Sequence, residues 1–182
     1  MKEQKRRRID RIQDPSFLAD METIGIDELR RRRDMCGDLD LELSYYRRML
    51  HGRMDLLSFE LRRRSGKETR TLIEALPEIL AGDHEPLPSR VPGEGRTIPI
   101  EAPYIPAVGR RAVDRALGDD FLARLPNLSD EDLEGVQQML AETESRISRQ
   151  RRSVFDALDR VQAELTGRYS DGRADASESL DR

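Results

Sequence analysis

The sequence has one cysteine, no tryptophan and only 4 % aromatic residues. A lone Cys36 excludes an intramolecular disulfide. With His51 and His84 far apart, it also offers no zinc-ligand spacing, so no metal is expected. No apolar run approaches the roughly 18 residues of a membrane span, and no leader-like pattern is visible. A reducing cytoplasm is the expected location, with no membrane partner. The shortage of aromatics, beside 37 % charged residues, excludes a thick globular core. Such a chain can still build a thin hydrophobic seam between long helices. A one-sided charge is lacking too. The 32 basic and 36 acidic residues leave a net −4, which argues against a general nucleic-acid binder, so direct DNA binding is not expected.

What the sequence does have is a heptad. Leu29, Cys36, Leu43, Leu50 and Leu57 recur every seven residues, with Leu39, Tyr46, Met54 and Leu61 beside them. This predicts a long helix from about Ile26 to Arg64, closed by Ser65-Gly66. Asp14-Pro15 before it reads as a short helix start, interrupted at Gly25. A second seam, Leu133, Leu140, Ile147, Val154 and Val161, follows a capping-box pair, Ser129 and Asp132. It should end at Gly167. Between the seams, Leu72 to Ala81 suits a short helix ending at Gly82, and another is expected around Ala112 to Leu125. Six prolines between Pro86 and Pro106 forbid regular helix there.

The expected fold is therefore all-α: an antiparallel two-helix coiled-coil hairpin with short accessory helices and a Pro-rich linker. The expected organisation has five parts. Residues 1–13 are a flexible basic N-terminus, and 14–64 hold a short helix and the first coiled-coil helix. Residues 65–128 are the linker with short helices, 129–167 the second coiled-coil helix, and 168–182 a disordered acidic tail. The linker is long enough to permit a parallel return or a dimer as well.

The two long helices align at one offset, 104 residues (133 − 29), and their polar positions align with them. Ser44 meets Ser148, Arg47 meets Arg151, and Asp55 meets Asp159. Asp40 meets Glu144, and His51 meets Phe155. Each set reads acid-x3-Ser-x2-Arg-x3-ring-x3-Asp, and at about 100° per residue all five side chains fall on one stripe beside the seam. The plain reading of such spacing is ordinary intrahelical charge pairing. The shared serines and constant register favour a duplicated site. Arginine's flat fork of donors suits guanine O6 and N7, or a phosphate, and a carboxylate accepts from guanine N1-H and its amino group. Duplication suits a ligand that is itself two-fold symmetric.

The stripe resembles the signature of the actinobacterial RsiG anti-sigma factors, Glu-x3-Ser-x2-Arg-x3-Gln-x3-Asp on each helix of an antiparallel coiled coil. Asp14-Pro-Ser-Phe-Leu and Leu43-Ser-Tyr-Tyr-Arg-Arg-Met-Leu-His-Gly-Arg are similar to that family as well, whose members include proteins named for aerial mycelium formation. The resemblance implies binding of cyclic di-GMP as an intercalated dimer, and sequestration of a WhiG-type sporulation sigma factor from RNA polymerase. Carried over by position, the ligand residues would be Asp40, Ser44, Arg47, His51 and Asp55, with Glu144, Ser148, Arg151, Phe155 and Asp159. Three positions depart from the signature: Asp40 for Glu, and His51 and Phe155 for Gln. The expected function is a cyclic di-GMP-responsive anti-sigma factor that represses a sporulation programme. The alternative is a coiled-coil regulator that binds sigma factor or polymerase without nucleotide. A scaffold would need only the heptads. An enzyme is not expected, because the carboxylates are strung along a helix with Arg between them rather than clustered as a metal site.

Overall fold

A computed structural model of the chain describes residues 7–81 and 121–172. Among these, every regular element is helical. In chain order they are α1 (Arg8–Ile12), α2 (Ser16–Ala19), α3 (Ile26–Arg64), α4 (Leu72–Ala81), α5 (Phe121–Arg124), a 3-10 turn (Leu125–Asn127) and α6 (Asp130–Ser170). The Pro-rich stretch lies outside the described residues, as does most of the helix expected over 112–125. The end of that expected helix is α5 and the 3-10 turn.

Helix boundaries follow local chemistry. Asp14 Oδ1 accepts from the Ser16 amide and hydroxyl at 3.0 and 2.7 Å, fixing the turn into α2. α2 stops at Ala19, before Gly25. The Gly25 carbonyl instead accepts from the Glu28 and Leu29 amides, so this glycine marks the start of α3 rather than the end of α2. α3 closes as a Schellman motif. Gly66 has φ +70°, its amide donates to Arg63 O, and the Lys67 amide donates to Arg62 O. α4 opens with a reciprocal box: the Thr71 amide and hydroxyl donate to Glu74 Oε2, and Thr71 Oγ accepts from the Glu74 amide. The box at Ser129 and Asp132 is formed as expected.

Two expectations fail at the ends of the chain. Residues 8–12 are helical, not loose, because Ile9 and Ile12 share one face and are buried. α6 does not stop at Gly167 but continues to Ser170. A mid-helix glycine costs only about 1 kcal/mol, and here it is flanked by anchored residues. Leu165 is fully buried, and the Arg168 guanidinium donates to the carbonyls of Met21 and Ile24. The left-handed stop is Gly172, with φ +64°.

The chain divides into two compact units, and each long helix contributes a stretch to each. One unit is Met1–Leu41 with Gln150–Arg182, the other Glu42–Arg149. In the first, Leu29, Val161 and Leu165 form a buried cluster, with Leu18, Met21, Ile24, Ile26 and Tyr169 packed against it. Arg32 lies over the Phe17 ring and bonds Asp20 at 2.8 Å, tying α2 to α3. In this unit Arg30 reaches Tyr169 and Asp40 reaches Arg151, an antiparallel order. Cys36 is fully buried there, and burial pushes its thiol up to about 12, so it serves as a small apolar seam residue.

In the second unit the order is again antiparallel: Arg47 reaches Glu144, and Arg64 reaches Asp130. Arg64 also donates to the carbonyls of Leu128, Leu125 and Pro126, fixing the turn that leads into α6. Leu56 and Phe59 lie off the heptad line yet are buried, as are Ala75 of α4 and Leu125 of the 3-10 turn. All ten seam residues of the two heptads are buried. No helix among the described residues is long and apolar enough to cross a membrane.

Candidate ligand-binding stripe

Each half of the duplicated motif is organised by an arginine–carboxylate pair that joins the two long helices. In the second unit, Arg47 Nε donates to Glu144 Oε1 at 3.1 Å. In the first, Arg151 Nε donates to Asp40 Oδ1, also at 3.1 Å. These are the same two motif positions with the helices exchanged, since both members of one pair lie 104 residues from their counterparts (151 − 47 and 144 − 40). These charges pair across the helices.

Around Glu144 the pair becomes a network. Its Oε1 also accepts from Ser148 Oγ at 2.7 Å and lies 3.2 Å from His51 Nε2. Burial pushes the Glu144 carboxyl up, but the hydrogen bonds from Ser148, His51 and Arg47 outweigh it and hold the pKa below its ordinary value. Three of the ten candidate residues thus converge on one oxygen of a fourth.

The Arg151–Asp40 pair is drier. The Asp40 side chain is 6 % exposed, against 21 % for Glu144. Ser44 Oγ, the counterpart of Ser148, is buried and has no hydrogen-bond partner among the described residues. The physical reason is length. Glu144 reaches the serine one turn ahead of it, whereas position 40 holds aspartate, one methylene shorter.

The remaining candidates face solvent. Asp55 and Asp159 are exposed, two turns beyond the arginines, and Phe155 is 47 % exposed one turn beyond Arg151. A division of labour follows from the burial. Asp40 and Glu144 orient the guanidinium groups through Nε, one of arginine's five donors. Asp55 and Asp159 are exposed carboxylates on the same stripe. Sequence reasoning treated all four acids alike. Nothing in the spacing separates them, because the distinction comes from the facing helix.

The fold and this stripe define an all-helical protein whose polar surface is held by cross-helix arginine–carboxylate pairs. The family model described as RsiG-like matches residues 15–80, so over that range the chain is similar to the family. The match takes in α2, α3 and nearly all of α4, and with them the first motif, Asp40 to Asp55. It is consistent with an anti-sigma factor, whose partner is a sigma factor. No curated protein matches the sequence. The second motif lies beyond the matched range and rests on the internal repeat.

Proposed function

We propose that the protein is an anti-sigma factor controlled by cyclic di-GMP, which it binds on the two helical motifs. In this reading the ligand binds as an intercalated dimer. The loaded protein sequesters a WhiG-type sporulation sigma factor from RNA polymerase in the cytoplasm. The observation that carries it is the repeated pair, Arg47 on Glu144 and Arg151 on Asp40, with matching Nε–oxygen distances of 3.1 Å. A guanidinium fixed at one edge is preorganised to offer its fork to guanine O6 and N7. Asp55 and Asp159, on the same line of each helix, supply acceptors for guanine N1-H and the amino group. Arg–carboxylate alternation of this kind favours guanine over a bare phosphate.

The test is calorimetric titration with cyclic di-GMP, with and without the sigma factor. Wild-type protein should saturate at two nucleotides per chain. Arg47→Ala and Arg151→Ala should each weaken binding by about 1–3 kcal/mol, the value of one good bidentate contact. Absence of binding in wild-type protein under both conditions refutes the nucleotide reading. A second reading, a sigma- or polymerase-binding coiled coil that needs no nucleotide, is favoured by the exposed, purely apolar Phe155. It expects the arginine variants to lose partner affinity alone.

A further inference from the structure

The two halves of the stripe carry different rings at the matching position, and the structure treats those rings differently. His51 is engaged in its ring plane, with Nε2 3.2 Å from Glu144 Oε1. Phe155 has no such edge. It is 47 % exposed, and no other ring contacts it among the described residues. Among the described residues it is also the one exposed aromatic of the large hydrophobic side chains left in solvent. The seam does not use it, since Val154 and Ala157 beside it take the buried positions.

Its neighbours along α6 give the exposed ring a chemical context. Arg151 lies one turn before it and Asp159 one turn after. Donor fork, π face and carboxylate thus succeed one another on a single line. A purine matches that order, with an acceptor edge, a flat face and a donor edge. Base–aromatic stacking needs no hydrogen bond from the ring, so a Phe is suited to it.

We infer that Phe155 is a stacking platform for a guanine base, so that the two motifs hold chemically equal bases by unequal contacts. The half containing His51 relies on hydrogen bonding, and the half containing Phe155 on stacking. This rests on the function proposed above and deepens it. It predicts that glutamine at position 155 is worse than phenylalanine, although glutamine restores the duplicated signature.

The experiment is titration of the full chain with cyclic di-GMP, comparing wild type with Phe155→Ala, Phe155→Gln and Phe155→Trp. Circular dichroism serves as the folding control. The alanine and glutamine variants should each bind about tenfold more weakly, the scale of one lost stack. Phe155→Trp should bind at least as well as wild type. Because the chain has no tryptophan of its own, that variant also reports directly: its fluorescence should be quenched as the base stacks. Wild-type binding with an unchanged alanine variant and no quenching overturns the inference and leaves the proposed function standing. Loss of sigma-factor affinity alone in Phe155→Ala overturns it as well, making the ring a protein contact. Glutamine binding more tightly than phenylalanine does the same. A wild type that binds no cyclic di-GMP overturns both proposals.

Discussion

Arg47 and Arg151 are equivalent in sequence, but their removal should not cost the same. Arg151→Ala leaves Asp40 with its side chain 6 % exposed and without its 3.1 Å partner. Removing one member of a buried pair costs about 3–5 kcal/mol, because the survivor stays desolvated. The Arg151 side chain is itself 22 % exposed, which admits some water and brings the expected cost to about 2–3 kcal/mol. Arg47→Ala leaves Glu144 at 21 % exposure and still bonded to Ser148 and His51, so about 1 kcal/mol is expected. For a chain of this size that difference corresponds to roughly 2–8 °C in melting temperature. Urea denaturation followed by circular dichroism measures both variants. Adding Asp40→Asn to Arg151→Ala should recover part of the loss, since it removes a buried charge. Adding Glu144→Gln to Arg47→Ala should recover little. Equal costs for the two arginines, or no recovery with Asp40→Asn, would refute the reasoning that burial distinguishes the two halves.

Leu50→Asp or Val154→Asp places a charge at a fully buried seam position and should cost several kcal/mol, lowering both helicity and melting temperature. Because the folded Glu144 pKa is held down, its contribution is present above the ordinary value near 4.5 and is lost as pH falls through the folded value. Wild type should therefore lose stability faster than Glu144→Gln on acidification below about pH 5, and parallel pH–stability curves would contradict the network at Oε1. Arg168→Ala removes donors to Met21 and Ile24 and should free the segment before α3, seen as faster amide exchange at residues 21–25 with little change at Leu140. Uniform protection in that variant would show that the apolar cluster at Leu29 holds the segment unaided.

Periodicity is a property of the chain alone, so the sequence settled the helices and their seam. The seven-residue recurrence that marks Leu29 to Leu57 and Leu133 to Val161 identified ten residues that are all buried. Glycine and capping chemistry placed the ends of α3 and the start of α6, because those hydrogen bonds join near neighbours. The same local logic failed at Gly167 and at residues 8–12, where distant contacts outweigh propensity: Arg168 is tied to Met21 and Ile24, and Ile9 and Ile12 are buried. The duplicated stripe was legible as a pattern, but the roles of its residues were not. Only tertiary structure pairs Arg47 with Glu144 and Arg151 with Asp40, leaves Ser44 without the bond that Ser148 makes, and exposes Phe155 where His51 is engaged. Helical spacing fixes which side chains share a face, whereas the helix opposite decides which of them are buried, paired or offered to solvent.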